Sequence, residues 1–164
     1  MDLRGVVKLY HEYVGFGEKY LPNIHFYGIV HKIHPIKTIR SRYGNIKMKR
    51  VIVLCDDTGY YIHATFWSEL AIKFDRTDIK VVFLKNIRVS QWSILTFNHV
   101  EESEVDFNPQ NDRAFQLVQW YHENNIGGPD NKQFAESIAP NNGIPDGDLM
   151  PVTHAATDYS HKKL

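Results

Sequence analysis

The chain has 164 residues, 43% of them hydrophobic, which is enough for one domain with a buried core. Its single cysteine, Cys55, excludes an internal disulfide and any zinc site built on paired cysteines. No stretch approaches the roughly 18 apolar residues of a membrane span, and Met1-Asp2-Leu3-Arg4 gives no apolar signal region.

The net charge is zero, but the charges are unevenly distributed. Residues 101–164 carry eleven acidic and four basic side chains, whereas residues 24–50 carry seven basic side chains and no acidic one. A basic first third can bind a polyanion locally despite a neutral total. The alternative is that these side chains form an ordinary solvated face. The seven basic residues are Lys32, Lys37, Arg40, Arg42, Lys47, Lys49 and Arg50.

The first part of the chain predicts a lead-in segment followed by two strands. Residues 1–23 form the lead-in, with a short helix expected near 9–20 and interrupted by glycine. A strand is predicted at 24–34, where Pro35 ends it. A second strand is predicted at 46–55, after a hairpin turn at Tyr43-Gly44-Asn45.

Three more strands and a short helix are predicted next. Asp56-Asp57-Thr58-Gly59 has the composition of a tight turn and leads into a third strand at 60–67. Ser68 is expected to cap a short helix that separates this strand from a fourth at 80–89. A fifth strand is predicted at 94–100.

The order of these elements predicts the fold. Five strands with one helix between the third and the fourth are the order of an all-β oligonucleotide/oligosaccharide-binding (OB) barrel. Asp112 is expected to cap a C-terminal helix, which ends the domain predicted at 24–124. Residues 125–164, rich in Gly, Pro and Asn, indicate a linker or flexible tail.

Two tryptophans stand where a single-stranded nucleic acid could stack its bases. Alternation in the third strand places His63, Thr65 and Trp67 on one face and Ile62, Ala64 and Phe66 on the other. Trp92 follows the basic strand 85–89. Indoles on the polar face of a sheet, near arginines, are suited to stacking unpaired bases. The alternative is that they merely cover the mouth of the barrel.

Several short motifs, taken in order, resemble a known family. They are Asp56-Asp57-Thr58-Gly59, Ala64-Thr65-Phe66-Trp67-Ser68-Glu69, Lys73-Phe74-Asp75 and Leu84-Lys85-Asn86-Ile87-Arg88-Val89-Ser90. This series is similar to the second high-affinity DNA-binding domain of the large subunit of replication protein A, an OB-fold domain. Asn108-Pro109 and the helix after it resemble the end of that domain. The similarity covers about residues 24–121.

The resemblance implies a DNA-binding role for individual side chains. Trp67 and Trp92 fall where the family has its two base-stacking aromatics, and Arg88 falls on an arginine that contacts the DNA backbone. Lys49 matches a basic residue on the neighbouring strand, and Arg40 and Arg42 lie in the loop that closes over the bound strand. Thr65, on the same face as Trp67, completes the predicted site.

The chain also departs from the family pattern. Phe66 replaces the usual leucine, and Ser68 and Asn86 replace glycines. Trp92 stands where the family more often has phenylalanine, and Ser93-Ile94 lacks the usual Gly-Gly. These departures favour a specialised relative, such as a telomere-directed paralogue.

The sequence therefore predicts a nuclear protein that binds single-stranded DNA, without enzymatic activity, cofactor or metal, in replication, repair or telomere maintenance. Its partners would be further OB domains in the same polypeptide and other subunits of a replication- or telomere-type complex, with no membrane. There is no Gly-rich phosphate loop and no nucleophile turn. A barrel that binds protein instead of DNA, and one that binds RNA, remain alternatives.

Overall fold

A computed structural model describes residues 1–91 and 94–124, together with the backbone of 150–151. The helices are α1 (Leu3–Gly15), α2 (Ser68–Lys73) and α3 (Asp112–Glu123). The strands are β1 (Leu21–Ile33), β2 (Lys37–Arg40), β3 (Ile46–Cys55), β4 (Tyr60–Trp67), β5 (Val81–Gln91), β6 (Leu95–Asn98), β7 (Glu104–Phe107) and β8 (Met150–Pro151).

Five of these strands close into a barrel. β1 pairs antiparallel with both β3 and β5, and β3 pairs antiparallel with β4. β6 closes the ring because it pairs antiparallel with β5 and parallel with β4. Since α2 lies between the third and fourth barrel strands, the predicted OB fold is confirmed.

Alternation along the strands separates the barrel interior from its outer face. Ile52 and Leu54 of β3 and Phe66 of β4 point inward and are fully buried. Phe66, which replaces the leucine expected from the resemblance, packs against Phe74 at the end of α2 with ring centroids 4.7 Å apart. The larger side chain thus fills the end of the barrel that α2 covers.

The lead-in helix α1 begins earlier than the sequence indicated. The Asp2 carboxylate caps it by accepting a hydrogen bond of 2.9 Å from the Gly5 amide. Its buried side chains, Leu3, Val6, Val7 and Tyr10, join the barrel core. The Leu3 amide also donates a hydrogen bond of 2.8 Å to the buried carboxylate of Asp56. The turn after β3 therefore fixes the start of α1.

The C-terminal helix α3 covers part of the outer face. Ala114 and Leu117 pack with outward-facing side chains of β1, β3 and β4 in a second buried cluster, which Trp120 and Tyr121 border. The cap of α3 is Asn111, whose side chain accepts a 3.0 Å hydrogen bond from the Ala114 amide, so the prediction of Asp112 was wrong by one residue. The predicted tail at 125–164 lies outside the described residues, except where β8 pairs with the start of β4.

Two departures from the family pattern coincide with unusual backbone conformations. Ser68 and Asn86 have φ angles of 55° and 56°, in the left-handed region that favours glycine. Ser68 therefore does not act as a helix cap as predicted, because Trp67 holds the extended cap position and no side chain caps α2. Asn86 is held by its amide hydrogen bond to His25 and its carbonyl hydrogen bond from Ser103.

Replacing Ser68 by glycine should raise the free energy of unfolding by about 1 kcal/mol, because only glycine adopts this backbone conformation without a Cβ penalty. Urea unfolding monitored by circular dichroism measures the change. Ser68→Ala is the matched control, since it removes the hydroxyl but keeps the Cβ, and it should not stabilise the protein. Equal stability of all three proteins would refute a strained Ser68.

No helix in the parts of the chain at 1–91 and 94–124 is long and apolar enough to cross a bilayer.

Candidate nucleic-acid interface

The outer face of four barrel strands carries a polar surface next to the basic hairpin. Its rows follow from strand register: Val51, Thr65, Asn98 and Arg88 lie side by side on β3, β4, β6 and β5. A second row, one pleat away, contains His63, Thr96 and Ser90, and it ends at Val53, which is buried with residues of α3. A third row contains Lys49 and Trp67, and it lies on the same face, on the opposite side of the first row from the second. We call these rows the outer polar face.

Trp67 lies at the end of this face nearest α2 and is partly exposed. The Lys49 ammonium sits 5.7 Å from the centroid of its ring, a cation–π distance. The Trp67 backbone amide donates a 3.1 Å hydrogen bond to Nδ1 of His99. Partial burial lowers the pKa of His99, which suits a neutral ring that accepts at Nδ1. The backbone of Trp67 is thus held by a hydrogen bond, and a positive charge lies beside its indole ring.

Arg88 lies on the opposite side of the face, stacked on Tyr20. Its guanidinium carbon is 4.0 Å from the centroid of the Tyr20 ring. The buried Nε of Arg88 has no hydrogen-bond partner among the described residues. Tyr20 keeps 41% of its surface exposed, so one aromatic ring and one charged group border the face together. The sequence did not single out Tyr20, because it precedes β1 and its contact with Arg88 depends on how β1 and β5 pair.

Two polar side chains of this face are connected, because the Asn98 side-chain amide donates a 2.7 Å hydrogen bond to Ser90 Oγ. The backbone carbonyl of Thr65 accepts a 2.9 Å hydrogen bond from the backbone amide of His99, which continues the pairing of β4 with β6. Thr65 is partly buried beside Asn98. These groups offer hydrogen-bond donors and acceptors in the middle of the face.

The hairpin of β2 and β3 extends the positive charge beyond the barrel. Arg40 and Arg42 lie near its tip, as does Tyr43, which is 84% exposed. The Ser41 hydroxyl accepts hydrogen bonds from the amides of Tyr43 and Asn45 at 3.3 and 3.1 Å, which shape the turn. Lys37 of β2 pairs in register with Lys49, so the basic surface runs from the hairpin to Trp67.

Of the seven predicted site residues, the structure brings four onto one face: Trp67, Thr65, Lys49 and Arg88. Arg40 and Arg42 lie on the hairpin at its edge. Trp92 lies outside the described residues. The strand that precedes it, β5, ends at Gln91, which pairs with Leu95 of β6.

The adjacent carboxylates Asp56 and Asp57 have separate partners. Asp56 is fully buried and accepts hydrogen bonds from the Leu3 amide and from the Thr58 amide and hydroxyl. Asp57 forms a bidentate ion pair with Arg113, at 2.8 and 2.9 Å. This hydrogen bonding and charge lower the pKa of Asp57. Both carboxylates therefore hold α1 and α3 in place. Within residues 1–91 and 94–124, no cluster of three potential metal ligands occurs.

Comparison with known proteins agrees with this fold. The family described as "Replication protein A OB domain" matches residues 22–108, more than half of the chain. Replication factor A protein 1 of Saccharomyces cerevisiae is 28% identical over 99 residues, covering 60% of this chain and 16% of the yeast protein. The replication protein A 70 kDa DNA-binding subunit of Xenopus tropicalis is 36% identical over 84 residues, covering 51% of this chain and 14% of the frog protein.

A solved structure of a replication protein A heterotrimer bound to ssDNA shares the fold. It superposes with a TM-score of 0.61 at 18% identity, covering 71% of this chain and 28% of the other. The molecule is thus an OB-fold barrel with a C-terminal helix. The chain belongs to the replication protein A OB-domain family. It spans only about one-sixth of the length of the yeast relative, namely 16%.

Proposed function

We propose that the outer polar face binds single-stranded DNA. The observation that carries the proposal is the arrangement of Trp67 with Lys49 at one end and Arg88 with Tyr20 on the far side, on one exposed surface. Exposed aromatics beside cations are the elements by which OB folds hold unpaired strands. The frog relative is named as a DNA-binding subunit, and the heterotrimer of similar fold was solved with ssDNA, which supports this assignment.

In the proposed complex, bases stack on Trp67 and on Trp92, and the basic side chains contact phosphates. Each stacked base contributes about 1–3 kcal/mol. Two stacks with a few phosphate contacts from Arg40, Arg42, Lys49 and Arg88 reach roughly micromolar affinity, since that corresponds to about 8 kcal/mol. Thr65 and Asn98 offer hydrogen bonds to the nucleotides between the stacks.

The biological setting we infer is DNA replication in the nucleus, with no catalytic role. The matched relatives are several times longer than this chain. We infer that further OB domains act with this one, in the same polypeptide or in other subunits, because linkage raises affinity through effective concentration. We include a telomere-directed role in this proposal, because the sequence departs from the family pattern at Ser68, at Asn86 and in the β5–β6 connection.

An oligonucleotide titration tests the function. Labelled oligo-dT, a random sequence and a telomeric repeat are titrated at two salt concentrations, with an RNA oligomer as competitor. The proposal expects binding that weakens with salt and prefers DNA, and a preference for the repeat would support the telomeric role. Absence of binding to all three DNA oligomers at low salt would favour the protein-binding alternative, and preference for the RNA would favour RNA binding.

Arg88→Ala should flatten the salt dependence. Each phosphate neutralised on a single strand contributes about −0.7 to the slope of log affinity against log salt, so loss of one contact reduces the slope by about that amount. Arg113→Ala is the control, since it removes an arginine that pairs with Asp57. The assignment of Arg88 fails if its variant keeps the wild-type slope, or if the Arg113 variant loses as much.

A further inference from the structure

An open cleft lies at the end of the barrel where β1 ends and α2 leads to β5. It has a volume of about 610 Å³. Its walls come from the end of β1, from β3 and from the segment after α2, and they are Ile33, His34, Pro35, Arg50, Phe74, Asp75, Arg76, Thr77 and Asp78. The outer polar face does not include any of these residues.

Arg50 is the unusual member of this cleft. It follows Lys49 in β3 and therefore points to the other side of the sheet, where its side chain keeps only 8% of its surface exposed. Its Nε and Nη1 atoms are buried and have no hydrogen-bond partner among the described residues. A buried guanidinium with unmatched donors is costly, so turning this side chain toward an acceptor in the open cleft would be favourable.

The other charges of the cleft compensate Arg50 only weakly. Arg76 and Asp78 form a closed pair, with Arg76 Nε and Nη2 at 2.9 and 2.6 Å from the two carboxylate oxygens of Asp78. The carboxylate of Asp75 approaches Nη2 of Arg50 only to 3.9 Å, and the Asp75 side chain is 82% exposed. Most of the Asp75 charge is thus solvated. Because Nη2 lies between Nε and Nη1 in the fork of donors, each donor edge of the Arg50 guanidinium retains an unmatched N–H group.

We propose that this cleft, which we call the Arg50 cleft, binds one backbone phosphate of single-stranded DNA, from a nucleotide beyond the base stacked on Trp67. This inference rests on the proposed function. Each donor edge of a guanidinium matches two phosphate oxygens. Lys49, the direct neighbour of Arg50, contacts Trp67 on the outer face. Pro35 in the cleft wall shortly precedes the basic hairpin. In this proposal, a strand leaving Trp67 turns over this end of the barrel, from the outer face to the side on which Arg50 lies.

Two oligo-dT lengths separate this site from the outer polar face. An oligomer of roughly 4 nucleotides occupies the face alone, and one of roughly 8 nucleotides also reaches the Arg50 cleft. With the full 164-residue chain, the longer oligomer should bind more tightly and with a steeper salt slope, by about 0.7 for the added phosphate. Arg50→Lys, which keeps the charge but loses the planar edge, should reduce this difference between the two lengths.

Asp75→Asn gives a prediction of opposite sign and changes an exposed side chain. Without this carboxylate, the longer oligomer should bind roughly threefold more tightly, as expected for one surface charge interaction, and the shorter one should change less. Asp106→Asn, an exposed carboxylate on β7 outside the cleft, controls for overall charge and should not discriminate between the lengths. Urea unfolding of each variant checks its stability.

The outcomes distinguish the two levels of the proposal. If Trp67→Ala weakens both oligomers but Asp75→Asn and Arg50→Lys leave the difference between them unchanged, the phosphate site is refuted and the outer polar face stands. A lower stability of Asp75→Asn with unaltered binding would show that Arg50 and Asp75 form only a structural pair. If Trp67→Ala weakens neither oligomer, the proposed function fails and the cleft proposal fails with it.

Discussion

Trp67→Ala is expected to weaken oligo-dT binding by about 1–3 kcal/mol, which is about 5- to 150-fold. The indole lies partly exposed beside the Lys49 ammonium, so its loss removes a stacking surface and leaves the charges of the face intact. The slope of log affinity against log salt should therefore stay at the wild-type value, in contrast to Arg88→Ala. Trp92→Ala should behave in the same way, by the resemblance.

Fluorescence anisotropy of labelled oligo-dT at several salt concentrations measures both quantities. Trp67→Phe is the matched variant, because it keeps an aromatic ring and should retain most of the affinity. Trp120→Phe on α3 controls for tryptophan loss away from the outer polar face. Wild-type affinity in Trp67→Ala would remove this residue from the site, and a reduced salt slope would mean that the indole acts by holding Lys49.

The second large effect is a pH dependence of the free energy of unfolding that arises from Asp56. Burial raises the pKa of Asp56 to about 6, from 3.8, against the opposing effect of its hydrogen bonds from Thr58 and Leu3. The ionised carboxylate is thus less favourable in the folded protein than in the unfolded chain. Its contribution to stability is fully present below about pH 4 and is lost as the pH rises to about 6. The shift corresponds to about 3 kcal/mol.

Two histidines change the free energy of unfolding in the opposite direction over part of this pH range. The pKa values of His31 and His99 are lowered, chiefly by burial, so their contributions are lost as the pH falls below about 6.5. The difference between wild type and Asp56→Asn isolates Asp56. Urea unfolding from pH 4 to 7 should show wild type losing about 3 kcal/mol relative to the variant. Parallel stability curves for the two proteins would contradict a raised pKa.

The sequence predicted the barrel because its strands alternate clearly and its turns have strong composition. Ile62, Ala64 and Phe66 are buried, and Thr65 and Trp67 lie on the other face, as the period of two requires. The same alternation predicted that Trp67 and Thr65 share a surface. Arg88 lies near these two residues because β4 pairs in parallel with β6. The family resemblance implied this arrangement, whereas the local sequence pattern could not predict it.

Other features depended on tertiary contacts that no local pattern encodes. The start of α1 has a local cap in Asp2, but it is also held by Asp56, a residue distant in the chain. Ser68 is a residue type that favours the helix cap, but it lies directly after β4 in a left-handed conformation and does not cap α2, so its local propensity did not decide its role. Arg50 belongs to a basic run in the sequence, whereas the pleat of β3 turns it away from Lys49 and buries it.

Stacking of Trp67 on a base of single-stranded DNA underlies the proposed function, and the fluorescence of this indole reports on it. The chain has three tryptophans, so a Trp92→Phe/Trp120→Phe variant leaves Trp67 as the sole tryptophan and keeps an aromatic at both other positions. Titration with labelled oligo-dT at low salt follows Trp67 emission and oligomer anisotropy together. We predict quenching of Trp67 with the same midpoint as the rise in anisotropy. An oligomer that binds while the emission of Trp67 stays unchanged in intensity and wavelength would show that no base stacks on this residue.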